Sequence, residues 1–174
     1  MKGHTIWLTG LSGSGKTTIA KLVAEKLRQQ SIPVVILDGD VVRKSVSSDL
    51  GYTKRDRDRN ITRIADICKI ITDNGVINIA SVVSPTKSIR EYARRIIGNF
   101  TEVYIKCSLK ECKRRDTKGI YEKFDNGEID YLVGINIDYE EPKYPEIILN
   151  TDTTTPLKCC NLLLHYLRKK EIIL

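Results

Sequence analysis

The sequence predicts a three-layer α/β fold around a central parallel sheet of about five strands. Three observations carry that expectation. Five short strand-like runs, at 6–9, 34–37, 76–83, 100–105 and 146–149, alternate with stretches whose apolar residues recur at helical spacing. The runs are rich in Val and Ile and show little polar alternation, as expected of strands covered on both faces by crossover helices. A glycine-rich segment joins the first strand to the first helix, at the strand ends where sheets of this kind bind ligands.

Taken in order, the strand at 6–9 runs into Thr9-Gly10-Leu11-Ser12-Gly13-Ser14-Gly15-Lys16-Thr17-Thr18, which fits G-x-x-x-x-G-K-[ST] at Gly10, Gly15, Lys16 and Thr17. This is a phosphate-binding loop, and it places the chain in the P-loop NTPase fold. The glycines let successive backbone N–H groups turn inward, and the next helix aims its positive end at the same point. Gly10, Ser12, Gly13, Ser14, Gly15, Lys16, Thr17 and Thr18 are the candidate contacts to a nucleoside triphosphate, ATP. Lys16 is expected at the β- and γ-phosphates and Thr17 on Mg²⁺.

A helix follows at 17–28, then the strand at 34–37, ending at Asp38-Gly39-Asp40. From 41 to 59 periodicity is lost and charge dominates, which reads as a substrate-facing segment. Asn60 reads as the N-cap of a helix with Ile61, Ile64, Ala65, Cys68 and Ile71 on one face, ended by Asn74-Gly75. The run at 76–83 is the most apolar and so the central strand. After Ser84-Pro85 come a helix closed by Gly98, the strand at 100–105 and a short helix at 109–115. The segment 116–145 is glycine-containing, charged and weakly periodic, the signature of a functional, mobile lid. A last strand at 146–149 precedes a helix that Thr154-Thr155-Pro156 opens.

With 174 residues, 41% of them hydrophobic, the chain has the length of one compact P-loop domain spanning 1–174. It carries neither an apolar run long enough for a membrane span nor signal-peptide architecture, so a cytoplasmic protein without a membrane partner is expected. The five cysteines lack C-x-x-C spacing, against a disulfide framework or a zinc site. The net charge of +7 is scattered along the chain, which favours small anions over nucleic acid.

The segments TIWLTGLSGSGKTT, LDGDVVR, DLGYTKRDRDRNITR, the Ser84-Pro85 pair and RDTKGIYEKFDNGEIDYLVGINIDYEEP together resemble the adenylylsulfate (APS) kinases over nearly the whole chain. The resemblance implies an ATP-dependent kinase that phosphorylates the 3′-hydroxyl of adenosine 5′-phosphosulfate, giving PAPS, in sulfate assimilation. It implies that Asp38 and Asp40 lie near the acceptor, that Arg43, Arg57 and Asn60 hold the acceptor nucleotide, and that Val83 and Ser84 line its site. It also implies a lid element at Lys118-Gly119-Ile120-Tyr121 and an Arg115 beside the ATP base. Arginine forks suit a phosphate and a sulfate, and a carboxylate suits a hydroxyl that must lose a proton. The residues alone also permit Asp38 to be a Mg²⁺ carboxylate, and Ser84 to be a helix cap.

Several positions depart from the family. The two phenylalanines that clamp the acceptor's adenine are Tyr52 and Leu132 here, Thr62 replaces an arginine before Arg63, and Thr117 replaces a proline before Lys118. A half-aromatic clamp keeps open a second acceptor, cytidine diphosphoramidate, the substrate of a related kinase. A nucleotide-binding switch or ATPase is the alternative of another class. Partners are expected to be the small-molecule nucleotide acceptor, with homodimerisation open.

Overall fold

Strand β1 (His4–Thr9) holds the middle of the sheet because both of its faces are apolar. Ile6 and Leu8 point into one core while Trp7 points into the other, and all three are fully buried. The structure, a computed structural model, describes residues 2–173. In chain order β1 is followed by α1 (Lys16–Gln29), β2 (Val34–Asp38), α2 (Gly39–Lys44), α3 (Lys54–Asp73), β3 (Ile77–Ser81) and α4 (Lys87–Ile97). Then come β4 (Phe100–Lys106), α5 (Leu109–Arg115), α6 (Ile120–Asp125), β5 (Ile147–Asn150) and α7 (Pro156–Lys169).

The five strands are parallel in the order β2-β3-β1-β4-β5, with Ile6 opposite Ile79 and Thr101. Alternate residues of each strand face opposite layers. Ile77, Ile79, Val103 and Ile105 join Ile6 and Leu8 against α1 and α7, while Ala80 and Phe100 join Trp7 against α3 and α4. Each such buried Ile or Leu side chain contributes about 1.5–3 kcal/mol. The chain leaves β1 towards β2 but leaves β3 across β1 towards β4, so the connections diverge at the C-terminal ends of β1 and β3. A crevice opens there. Among the described residues no helix is long and apolar enough to cross a membrane, and all five cysteines are buried and free.

Two expectations need correction. The run at 76–83 is not the central strand: β3 lies between β2 and β1, and β1, joined to strands that are themselves paired outward, takes the middle. Asn60 is not an N-cap: α3 starts six residues earlier, where the Thr53 hydroxyl accepts from the Asp56 N–H, and Asn60 is buried inside the helix. The first turns of α3 are charged because they project from the core, which erases the periodicity that marks a helix. The segment 116–145 has structure of its own. It carries α6, and it sets Tyr121 and Leu132 into a small apolar cluster with Cys107 and Cys112, packed by Leu11 and Phe124.

Candidate functional site

The phosphate-binding loop forms because β1 ends against β4 and α5, leaving no room for side chains. A Cβ on Gly10 would sit 2.5 Å from the Ile105 carbonyl oxygen, and one on Gly13 would sit 2.9 Å from that of Cys112. Both also have positive φ, 153° and 77°. The loop's floor is tied to the end of β5, where the Thr151 hydroxyl donates to the Ser14 carbonyl at 2.9 Å.

Lys16 lies over this loop, its ammonium donating to the carbonyl oxygens of Gly10 at 2.9 Å and Leu11 at 2.7 Å. Burial pushes its pKa down to about 8, and the nearby Lys118 charge adds to the effect. Thr17, one residue on, donates its hydroxyl to Asp38 Oδ2 at 2.7 Å and lies 3.2 Å from the Ser81 hydroxyl. Asp38 also caps α2, its Oδ1 accepting from the Asp40 N–H at 3.0 Å. Asp40, by contrast, is ion-paired with Lys118. The two carboxylates two residues apart thus face different groups.

A cavity of about 870 Å³ runs across the crevice, and all the site residues predicted from sequence line it except Gly10 and Ser14. At one end lies Arg115, which donates to the Thr151 carbonyl at 2.6 Å and to Glu111 at 2.8 Å. Bonds from Arg114 and Arg115 hold the Glu111 carboxyl down to about 2. Glu111 and Thr151 escaped the sequence reading because neither stands in a motif of its own; their helical (i, i+4) and tertiary relation to Arg115 is the only signal.

At the other end two arginines flank Tyr52. The Arg43 guanidinium lies 4.7 Å over the Tyr52 ring and donates to the Gly51 carbonyl, while Arg57 donates to the carbonyls of Tyr52 at 2.8 Å and Tyr131 at 2.9 Å. Burial and the Arg43 charge push the Arg57 pKa below its ordinary value. Among the described residues neither arginine has a carboxylate partner. This end therefore carries uncompensated positive charge, a place for an anion. Asn60 reaches the same end from α3; it is only 4% exposed and its side-chain oxygen has no partner within the protein. A buried acceptor without a donor awaits one from a ligand or water.

The two clamp positions differ in what they present. Tyr52 is 61% exposed, with Arg43 on its ring, whereas Leu132 is 3% exposed within the apolar cluster under α6. Ser84, finally, is not a helix cap. Its hydroxyl accepts from the Trp7 indole N–H at 3.1 Å and donates to the Thr9 hydroxyl at 2.9 Å, and α4 begins after Thr86 instead.

Residues 2–150 match the family model for adenylylsulphate kinase. The chain is 45% identical over 172 residues to the adenylyl-sulfate kinase of Halothermothrix orenii, a match that covers 99% of this chain and 93% of that protein. It is 46% identical over 166 residues to that of Gloeothece citriformis, covering 95% and 94%. Among solved structures, the Mycobacterium tuberculosis APS kinase in complex with AMPPNP and APS superposes with a TM-score of 0.92 at 35% identity, over 96% of this chain and 98% of that one.

Proposed function

The chain belongs to the adenylylsulphate kinase family, and on that premise we propose that it transfers the γ-phosphoryl group of ATP to the 3′-hydroxyl of adenosine 5′-phosphosulfate, giving PAPS. The observation that carries the reading is the charge layout of one cavity. A phosphate-binding loop occupies its middle, and Arg43 and Arg57, free of carboxylates, stand at the end away from Arg115. A simple ATPase or nucleotide switch has no use for that second anion site. Phosphoryl transfer between two anions needs little more than positioning and charge neutralisation, which this arrangement supplies.

In this reading the loop N–H groups and Lys16 bind the triphosphate, Arg115 flanks the ATP base, and Arg43, Arg57 and Asn60 hold the acceptor. Asp40 orients the acceptor hydroxyl and takes its proton, and Lys118 steadies Asp40. Val83 and Ser84 complete the acceptor wall. The hard oxygen donors Thr17 and Asp38, already 2.7 Å apart, fit Mg²⁺. When bound, the cation neutralises charge on the β- and γ-phosphate oxygens.

Release of ADP, followed in a coupled assay with APS and with cytidine diphosphoramidate, tests the assignment. Turnover with APS is expected; robust turnover of the cytidine compound with none of APS would overturn it.

The segment 116–145 acts in this reading as a lid, tied to the acceptor side by the ion pair of Lys118 with Asp40 and by the Arg57 bond to Tyr131. Amide exchange in this segment should slow when ATP and acceptor are both present. Equal protection with and without ligands would count against a lid.

Leu132→Phe reads the acceptor base directly. A second stacking face should lower KM for APS by about tenfold, within the ~1–3 kcal/mol that base-on-aromatic stacking supplies. Crowding of the cluster with Tyr121 and Cys112 should appear separately, as a lower Tm. A rise in KM for APS would instead favour a smaller base.

A further inference from the structure

Three residues outside the cavity converge on the acceptor wall. The Thr9 hydroxyl, at the end of β1, donates to the Val83 carbonyl at 2.7 Å. With its one proton spent there, Thr9 can only accept from its other two partners, the Ser84 hydroxyl at 2.9 Å and the Tyr139 hydroxyl at 3.0 Å. Arg90, buried in α4, donates to the Ser84 carbonyl at 2.8 Å and to the Glu140 carbonyl at 2.6 Å, while its Nε faces Glu102 Oε1 at 2.9 Å. The Glu140 N–H in turn donates to the Pro85 carbonyl at 2.8 Å, and the Glu140 carboxylate accepts from the Lys87 N–H. Tyr139 is stacked on Tyr104 and lies under the Arg90 guanidinium.

These bonds surround a strained turn. Ser84 has a φ of 39°, a left-handed conformation that serine seldom adopts and that persists only where its surroundings impose it. Val83, Ser84 and Pro85 line the cavity, yet Tyr139 and Arg90 do not.

We propose that Tyr139 and Arg90 are positioning residues for the acceptor, holding the Val83-Ser84-Pro85 turn in its left-handed form and so setting the acceptor wall. This rests on the kinase reading above, in which that wall faces the acceptor. It ties the acceptor wall to the distal end of the 116–145 segment, through the Tyr139 hydroxyl on Thr9 and through the Glu140 backbone on Pro85 and Arg90.

Tyr139→Phe tests it, because it deletes the hydroxyl and keeps the ring on Tyr104 and under Arg90. KM for the acceptor should rise roughly fivefold, the worth of one hydrogen bond, with KM for ATP unchanged within about twofold. Trp7, the sole tryptophan, donates to Ser84 and supplies a binding signal: its emission change on adding APS without ATP should need correspondingly more APS. Arg90→Lys, which retains the charge facing Glu102 but cannot span both carbonyls, should show the same selectivity. An unchanged acceptor KM, or equal rises for both substrates, overturns the proposal. Whether wild type turns over APS decides the kinase reading; the ratio of variant to wild type, taken with whichever nucleotide of the panel wild type phosphorylates, decides this one.

Discussion

Lys16→Ala should lower kcat/KM by at least ~10²–10³-fold, the loss that follows removal of one preorganised donor to transition-state charge, while the protein stays folded. The ammonium sits over the loop and, among the described residues, bonds only to the carbonyls of Gly10 and Leu11 and, at 3.5 Å, to the Ser14 hydroxyl. Lys16 itself lines the cavity, so water can enter the space its ammonium leaves and the fold loses little. The variant carries a pH signature as well. Burial depresses Lys16 from 10.5 to about 8, so between those values the unfolded chain holds a proton that the folded one lacks. Stability linked to this group therefore rises with pH from about 8 to 10.5 and is level below 8. That rise should vanish in Lys16→Ala, which melting curves at pH 7.5 and pH 9.5 would reveal. Turnover like that of wild type would sink the kinase assignment.

What the sequence disclosed depended on how local each signal was. The phosphate loop was legible because glycines, Lys16 and Thr17 act within a few consecutive residues, and β1 because burial on both faces leaves the consecutive apolar residues Ile6, Trp7 and Leu8. The start of α3 was hidden, since residues 54–59 carry no apolar side chain to begin a period; only the Thr53-x-x-Asp56 spacing, a capping pattern, pointed to it. The packing of 116–145 was hidden for the opposite reason. Tyr121 and Leu132 find their partners at Leu11, Cys107 and Cys112, far away in sequence, so no local period forms. Arg90 and Tyr139 belong to the same class. One reads as an ordinary charge on a helix face and the other as a loop aromatic until the chain brings both to Ser84.

The acidic pair gives the second large effect, and it separates two carboxylates that sequence alone could not. Asp38 shares its Oδ2 with the Thr17 hydroxyl and faces the loop, whereas Asp40 pairs with Lys118. If Asp40 orients the hydroxyl and receives its proton, Asp40→Asn should lower kcat by ~10²–10⁴-fold, the usual worth of a positioned general base, with KM for ATP little changed. Asp38→Asn should behave differently. The amide oxygen still caps α2, because Asn and Asp are equivalent caps, so the fold is retained. What is lost is a full negative charge beside Thr17, and the expected result is a higher Mg²⁺ concentration for half-maximal rate, with activity partly restored when the cation is raised. Measuring rate against Mg²⁺ for both variants distinguishes the roles: the Asp40→Asn defect should persist at saturating cation, since added charge cannot replace a proton acceptor. Rescue of Asp40→Asn by Mg²⁺, with Asp38→Asn left inactive at every concentration, would exchange the two assignments.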